Sequence, residues 1–302
     1  MTSIRETPKI VNVLRSMPSV DRLKVTVLVE DSASRKKTRL TARHGLSLLI
    51  EMIMTGVCAR ILMDTGPPPD VALRNARAMR VSLQALDAII ISHGHYDHIG
   101  GLLEILKHSR EWTPVIAHPK VFAPKLTHKP SLRSIGAHFD EHSVKAAGGV
   151  PVLTRNSVNI APGVLTSGEI PRENEFEKVR GFWTVEDDFF VVDQINDEQA
   201  LFINVKDKGL VVMTGCAHAG IMNTIEQGQK TSGVEKVYGI VGGLHLEKSA
   251  ETRIKRTLEG LLRLDPRSIY PCHCTGEKVT HRIQEQFGDR CKPIRTGDYF
   301  EL

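Results

Sequence analysis

The residues with the clearest chemical character form a tight cluster that follows an apolar segment. His93, His95, Asp97 and His98 lie within six residues of one another. Imidazole nitrogens suit zinc, iron or manganese, and carboxylate oxygens suit harder cations. Four such groups in one turn can divide between two neighbouring metal ions, which together can hold an anion. We therefore predict a metal site here, in preference to a surface turn that is merely rich in histidine.

The cluster has to be positioned by regular elements, and the hydrophobic pattern predicts an alternation of strands and helices. Segment 86–92 is a short continuous apolar run, which is typical of a strand covered on both faces. The other predicted strands are 24–30, 46–54, 60–63, 114–118, 189–193, 200–205, 210–214, 236–241 and 268–271, and the predicted helices are 70–79, 100–108 and 250–264. In the last helix, Ile254, Leu258, Leu261 and Leu262 form one predicted apolar face. The alternation indicates a layered α/β fold.

Three segments give no clear periodicity. Residues 119–190 are rich in proline, and we expect them to form a lid or insertion within a single domain that spans 1–302. Residues 1–20 are expected to be a loosely held terminus, and the polar stretch 31–39 is expected to be a loop.

Composition excludes several classes of protein. The chain of 302 residues is 41% hydrophobic and 25% charged, which is ordinary globular composition. Five cysteines are an odd number in a long chain, and this fits reduced thiols or metal ligands better than a disulfide framework. A formal charge of +5 is too weak to indicate a nucleic-acid partner and suits a small anionic substrate. Because no apolar run reaches the roughly 20 residues of a membrane span and the first residues lack the apolar core of a secretion signal, we expect a cytoplasmic protein.

The cluster matches the pattern His-x-His-x-Asp-His in full, so the chain resembles the metallo-β-lactamase superfamily. The resemblance implies a four-layer αβ/βα sandwich of two mixed sheets flanked by helices, with metals where loops converge at the sheet edges. It implies His93, His95, Asp97 and His98 as ligands of two divalent ions, expected to be zinc, with iron or manganese as alternatives. Asp64 matches an earlier motif of the superfamily, which implies that it supports the site by hydrogen bonding.

The resemblance also implies ligands after the later strands. Thr214-Gly215-Cys216 occupies the place where many relatives have a Gly-Asp pair between the metals, so either Cys216 or His218 could be a ligand, and we favour His218. His273 matches the last histidine of the superfamily by its order and its position after a strand, and it is an expected ligand. Cys272 and Cys274 flank His273 on the opposite face if the strand continues, so we expect them to be packing thiols.

One departure from the superfamily pattern concerns the third-motif histidine, which is absent before the hairpin that begins at residue 200. The residues that stand there are Asp193, Asn196, Asp197 and Glu198. His218 could fill this vacancy in the first metal's ligand set. His245 would then face the substrate or serve as a further ligand, and a buried core histidine is an equal alternative for it.

The run Gly168-Glu169-Ile170-Pro171-Arg172 and the motifs around Cys216, His245 and His273 narrow the resemblance to one branch. That branch is named for a dihydropteroate-synthase-like enzyme of methanopterin biosynthesis. It implies a metal-dependent transferase that joins a dihydropterin methyl pyrophosphate to a ribofuranosylaminobenzene 5′-phosphate with loss of pyrophosphate. Glu169, Arg172 and His245 are then candidate substrate contacts, although a solvated loop pair explains Glu169 and Arg172 equally well. Asp97 and His245 are the candidate catalytic residues.

Two other functions stay open at this point. The same residues would serve a hydrolase that attacks a phosphodiester, a lactone or another ester with water. A non-catalytic metal or redox sensor would instead depend on Cys216, Cys272 and Cys274. A nuclease acting on large RNA is disfavoured, because no separate RNA-binding domain remains once the catalytic fold has used the chain. The proline-rich insertion could pack against a second copy of the chain.

Overall fold

The computed structural model describes residues 17–34, 39–128 and 130–302. Residues 1–16 of the predicted loosely held terminus 1–20 lie outside these ranges. Residues 35–38 of the predicted loop 31–39 also lie outside them. In the described ranges, no helix combines the length and the apolar character that crossing a membrane requires.

The strands agree with most of the predicted ones and add several short ones. They are β1 (Arg22–Val29), β2 (Ser47–Met54), β3 (Val57–Met63), β4 (Ala88–Ile90), β5 (Thr113–Ala117), β6 (Leu126–Thr127), β7 (Arg133–Ser134), β8 (Gly149–Leu153), β9 (Asn159–Ala161), β10 (Val164–Thr166), β11 (Phe182–Glu186), β12 (Phe189–Val192), β13 (Ala200–Val205), β14 (Gly209–Thr214), β15 (Val237–Gly243), β16 (Ser268–Cys272) and β17 (Tyr299–Glu301).

The helices lie between these strands. They are α1 (Val71–Ala78), α2 (Tyr96–Ile99), α3 (Leu102–Leu106), α4 (Glu141–Ala146), α5 (Ile221–Ser232), α6 (Glu251–Leu264) and α7 (Glu277–Phe287). Short 3-10 turns follow at His273–Thr275 and Gly288–Arg290.

Two mixed sheets carry the fold. The first has the order β17-β1-β2-β3-β4-β5-β8, with antiparallel pairing from β17 to β3 and parallel pairing from β3 to β8. The second has the order β16-β15-β14-β13-β10-β9, in which β16, β15 and β14 are parallel and the remaining pairs are antiparallel. Parallel strands end at the same edge of a sheet, so the loops after β3 and β4, and those after β14, β15 and β16, are brought together.

The two sheets face each other across one apolar core. Ile50 and Ile61 of the first sheet and Leu201 and Met213 of the second are fully buried in it. The outer face of the first sheet packs against α1, α3 and α4, and that of the second packs against α5, α6 and α7. The predicted four-layer αβ/βα sandwich is therefore confirmed. Each sheet buries both faces, which explains the continuous apolar runs in the parallel strands.

One residue of the predicted apolar face of α6 differs from the expectation. Ile254, Leu258 and Leu261 are buried against the second sheet, whereas Leu262 is 45% exposed. At about 100° per residue, Leu262 lies at the margin of the stripe defined by the other three side chains.

The proline-rich segment 119–190 contributes to three sheets. Strand β8 extends the first main sheet, and β9 and β10 extend the second. The part that stands apart is a small antiparallel sheet with the order β12-β11-β6-β7. This small sheet is tied to the histidine cluster, since the N–H of Tyr96 donates to the carbonyl of Ile135 at 2.8 Å.

Candidate metal centre

The chemistry-bearing side chains follow five strands whose carboxyl ends converge. Asp64 follows β3 and His93 to His98 follow β4, while Cys216 and His218 follow β14. His245 comes after β15, and His273 opens the turn after β16. Residues far apart in sequence thereby form one buried cluster of nitrogen, oxygen and sulfur atoms.

Three histidines form a first set of donor atoms. Nε2 of His93 lies 2.9 Å from Nδ1 of His95. A ring nitrogen of His218 completes a group whose ligand atoms all lie within 4.8 Å of one another. The structure thus places His218 beside the first two histidines of the motif.

A second set of four donor atoms surrounds a common centre. Oδ2 of Asp97 lies 3.7 Å from Nε2 of His98 and 3.4 Å from Nε2 of His273, and these two nitrogens are 3.3 Å apart. Sγ of Cys216 lies 3.2 Å from Nε2 of His98. A tetrahedral zinc site with bonds of about 2.0–2.3 Å has ligand atoms roughly 3.3–3.8 Å apart. These four separations are therefore close to those between neighbouring ligand atoms of one metal ion.

Asp64 orients two of the imidazoles from a fully buried position. Its Oδ2 accepts hydrogen bonds from Nδ1 of His98 and from Oγ of Ser92, both at 2.7 Å. Because the Ser92 hydroxyl donates to Asp64, it is free to accept from Nδ1 of His93 at 2.9 Å. Nε2 of both histidines is left to point into the cluster, which is how outer carboxylates fix the tautomer of ligating histidines.

His273 is oriented by an acidic pair at the end of β1. Its Nδ1 lies 2.7 Å from Oδ1 of Asp31, and its backbone N–H donates to Glu30 at 2.9 Å. His44 joins this group, with Nε2 3.3 Å from Asp97 and Nδ1 3.1 Å from Asp31. Sequence reasoning missed Glu30, Asp31 and His44. An acidic pair at the end of a buried strand was the one signal that could have indicated them.

Several buried ring nitrogens have no hydrogen-bond partner in the described part of the chain. They are both nitrogens of His218, Nε2 of His95 and Nδ1 of His245. A buried polar atom left unpaired costs about 1–3 kcal/mol, so such atoms call for a ligand. The donor set of imidazole, carboxylate and thiol, together with these open nitrogens, fits divalent metal ions of the zinc or iron type.

Burial keeps the first set of histidines neutral. It lowers the pKa of His95 to about 3, against the opposing charge of Asp97, and holds the pKa of His93 and His218 well below the ordinary value. Neutral imidazole is the form that binds a metal.

In the second set, the charged forms of the side chains are favoured instead. Burial acts to lower the pKa of His98, but Asp64 and Asp97 outweigh it and raise the pKa. Burial likewise acts to raise the pKa of Asp97, and the charges of His98 and His273 outweigh it and lower the pKa. In the absence of a metal, these histidines and carboxylates are therefore held as ion pairs.

The acidic residues in place of the third-motif histidine support the main chain of the ligand loops. Oδ2 of Asp197 accepts the N–H of Gly94, between the first two histidines, at 2.8 Å. The two carboxylate oxygens of Glu198 accept the N–H groups of His218 and Ala219, each at 2.5 Å. These acids hold the loops that carry the donor atoms and contribute none themselves to the two sets.

A buried lysine forms ion pairs with Asp197 and with a second aspartate, Asp193. The Lys125 ammonium pairs with Asp197 and with Asp193, the latter at 3.0 Å, and its side chain is 2% exposed. Gly94 has to be a glycine because a Cβ there would lie 2.1 Å from the carbonyl oxygen of Val121. The histidine loop, the small sheet and the 193–198 segment are thus locked together.

Two of the three expected substrate contacts, Arg172 and Glu169, bind different groups of the protein. Arg172 donates from Nη1 to the carbonyl of His218 at 3.0 Å and from Nη2 to the carbonyls of Gln194 and Ile195. Its guanidinium is thus engaged with main chain and positions the His218 loop. Glu169 lies apart from it, with Oε2 3.3 Å from Nε2 of the buried His118 and 3.3 Å from Nη1 of Arg155.

His245 and Phe182 are half-buried side chains that lie beside His218. The ring centroid of His245 is 4.2 Å from that of His218, and its side chain is half-buried. Phe182, at the start of β11, stands 5.1 Å from His95 and 5.3 Å from His218, measured between ring centroids. The small sheet therefore supplies one wall of the centre.

The cysteines on either side of His273 do not share a face. Cys272 is buried in the core between the two sheets. Cys274 lies in the 3-10 turn and its sulfur belongs to the donor cluster with Cys216 and His273. The expectation that both are packing thiols assumed a continuing strand. The strand in fact ends at Cys272, so Cys274 does not lie on the face of the sheet where a continuing strand would place it.

Comparisons with known proteins agree with this geometry. The profile of the beta-lactamase superfamily domain matches residues 59–188. The chain is 34% identical over 290 residues to 7,8-dihydropterin-6-methyl-4-(beta-D-ribofuranosyl)-aminobenzene-5'-phosphate synthase of Methanocaldococcus jannaschii, covering 94% of this chain and 98% of the relative. It is 31% identical to an uncharacterized protein of the same organism over 261 residues, which are 86% of this chain and 94% of that protein.

A solved structure agrees as well. A metal-dependent hydrolase of the beta-lactamase superfamily superposes with a TM-score of 0.77 at 28% identity, covering 93% of this chain and 99% of that one. By sequence along almost its whole length and by fold, the chain belongs to the metallo-β-lactamase superfamily and is an enzyme of that fold.

Proposed function

We propose that the protein is a metal-dependent synthase that joins a dihydropterin methyl pyrophosphate to a ribofuranosylaminobenzene 5′-phosphate and releases pyrophosphate. The observation that carries the proposal is the 34% identity to the archaeal synthase, which extends over 94% of this chain. The match also covers 98% of the relative, so it supports a function shared by the two whole chains.

Two divalent ions are assigned to the two donor sets. His93, His95 and His218 would hold the first, and Asp97, His98, His273 and Cys216 would hold the second. When bound, such ions supply Lewis-acid stabilisation of the charge that develops on pyrophosphate oxygens. Asp64, Ser92 and Asp31 hold the imidazole rings in the ligating orientation.

The bond-forming step requires the arylamine to lose a proton as its nitrogen attacks the methylene carbon and the carbon–oxygen bond to pyrophosphate breaks. We assign that proton to Nδ1 of His245, which has no partner in the described residues. The residue is half-buried beside His218 and Nδ1 itself is buried, so the proton would pass to it directly from the bound substrate. General bases of this kind typically contribute 10²–10⁴-fold to a rate.

Substrate contacts are assigned to the half-buried Glu169 and Phe182 and to the exposed Arg155. Glu169, held by His118 and Arg155, can accept hydrogen bonds from a heterocycle, and the Arg155 guanidinium beside it can attract a phosphate. Phe182 presents a ring face near the centre, against which a planar pterin can stack. Arg172 acts indirectly, through its hold on the His218 loop.

A hydrolase is the second candidate, favoured by the match to the solved metal-dependent hydrolase at a TM-score of 0.77. The experiment that separates the two supplies each pterin-pathway substrate alone, both together, and a generic phosphodiester, and measures pyrophosphate and coupled product. Release of pyrophosphate only when both substrates are present supports the synthase. Cleavage of a phosphodiester or of the pyrophosphate substrate alone, without coupled product, supports the hydrolase.

A further inference from the structure

We propose that Cys274 is a metal ligand of this centre and acts with Cys216 to make it a two-thiolate site. The inference rests on the metal centre proposed above and extends its ligand set. It also predicts the class of ion, because two thiolates favour zinc or iron over manganese or magnesium.

The sulfur of Cys216 is shared by three groups of possible ligand atoms. Its sulfur forms one close group with His93 and His98, a second with His218 and His245, and a third with His273 and Cys274. In each group the ligand atoms all lie within 4.8 Å of one another. A thiolate at this position is within reach of both donor sets, as the bridging carboxylate of a dinuclear site would be.

The Cys274 sulfur lies near Cys216 because the backbone turns sharply after β16. His273 adopts a left-handed conformation with φ of 48°, and the 3-10 turn that follows brings the Cys274 sulfur to 3.4 Å from the carbonyl oxygen of Cys216. Had the strand continued, this sulfur would lie on the same face as Cys272, within the core between the sheets.

Room for this sulfur is made by a residue on the neighbouring strand. A Cβ at Gly243 would lie 2.6 Å from Sγ of Cys274 and 3.3 Å from Cα of Cys216. Any other residue at Gly243 would thus push the thiol out of the cluster. The missing side chain provides the space in which the two cysteines meet.

The other three cysteines provide internal controls. Cys272 is buried in the core between the sheets, and Cys291 is buried beneath the helices of the second sheet. Cys58 is exposed on β3. Cys216 and Cys274, in contrast, each belong to a group of possible metal-ligating side chains.

The test is cobalt substitution of the purified full-length protein. The metal content and the thiolate-to-cobalt charge-transfer absorbance are measured for the wild type and for Cys216→Ser, Cys274→Ser and Cys272→Ala. We expect the band per bound cobalt to fall about twofold in each serine variant, as expected when one of two equivalent thiolate ligands is lost. We expect it to vanish in the double serine variant and to stay unchanged in Cys272→Ala.

Two results would overturn the inference while leaving the metal centre intact. One is a full band in Cys274→Ser, and the other is bound cobalt with no thiolate band in the wild type. Failure of the wild type to bind cobalt at all would instead contradict the proposed metal centre.

A second measurement covers the case in which a serine variant does not fold. Wild-type protein is alkylated with iodoacetamide before and after removal of its metal, and the modified cysteines are mapped by mass spectrometry. We expect Cys58 to react in both states and Cys274 to react only after chelation. Equal modification of Cys274 in both states would contradict its role as a ligand.

Discussion

Oδ2 of Asp64 lies 2.7 Å from Nδ1 of His98, and both side chains are fully buried. The same carboxylate accepts from the hydroxyl and from the N–H of Ser92, and Ser92 in turn faces His93. One carboxylate therefore sets the tautomer of one histidine in each of the two donor sets. This couples the two proposed ion positions to a single residue that touches neither ion.

Replacing Asp64 with asparagine should reduce metal affinity by about 10–100-fold. An amide offers one acceptor and one donor where the carboxylate offers two acceptors. If the amide nitrogen takes the place of Oδ2, both His98 and the Ser92 hydroxyl lose their acceptor, and Nε2 of His98 can become protonated; if it takes the place of Oδ1, the N–H of Ser92 loses its acceptor. Metal content after dialysis against a weak chelator measures the effect, with Asp87→Asn at an exposed carboxylate as the control. Equal metal retention in both variants would contradict the assigned role.

The metal-free protein should lose stability in acid through His95. Its pKa is about 3 in the folded state and near 6.5 when the chain is unfolded, because burial disfavours the charged ring. Between these values only the unfolded chain binds the proton, so the free energy of unfolding falls as the pH falls, by up to about 1.4 kcal/mol per pH unit.

Urea unfolding of the chelated wild type and of His95→Gln from about pH 7 to about pH 5 checks this. The variant lacks the titrating ring, and so its stability should fall less steeply with decreasing pH. Parallel pH profiles for the two proteins would be inconsistent with a buried neutral His95.

Loss of the Lys125 ammonium should be strongly destabilising. Lys125→Met leaves Asp193 and Asp197 buried without their cation, and removing one partner of a buried ion pair typically costs about 3–5 kcal/mol. Lys120→Met is the matched control on the same segment, since Lys120 pairs with Glu186 at the surface. Thermal unfolding should show a clear fall in Tm for the first variant and none for the second. Similar Tm values would contradict a stabilising role for the buried ion pairs of Lys125 with Asp193 and Asp197.

His245→Asn should separate catalysis from metal binding. If Nδ1 of His245 accepts the arylamine proton, the rate of condensation should drop about 10²–10⁴-fold while metal content is retained. His108→Asn, at an exposed histidine, serves as the control. A parallel loss of metal would show that His245 is a ligand, and an unchanged rate would remove it from the mechanism.

The sequence predicted the local part of the site well and the distant part poorly. His93, His95, Asp97 and His98 lie in one turn, so their spacing alone brings the donor atoms together. Asp31 and His44 contact His273 across some 240 and 230 positions of chain, and only the packing of the two sheets against each other brings them there. No periodicity in one segment carries that information.

Fold prediction failed where short strands depend on their neighbours. The long apolar strands and α6 were predicted from pattern, because burial of both faces or of one stripe dictates their composition. Strands β6 and β7 have two residues each; β6 forms because it pairs with β11, and β7 forms because it pairs with β6. The turn at His273 is similar, since its left-handed residue has a ring that contacts Asp31 and Asp97, both distant in sequence.

The most direct test of the account is the metal stoichiometry of the purified protein and of variants in each donor set. Elemental mass spectrometry of the wild type should give about two divalent ions per chain. His218→Ala and His273→Ala should each retain about one, and a protein with both substitutions should retain almost none. A wild type that binds no divalent metal, or variants that keep the wild-type content, would contradict the two-ion centre on which the proposed function depends.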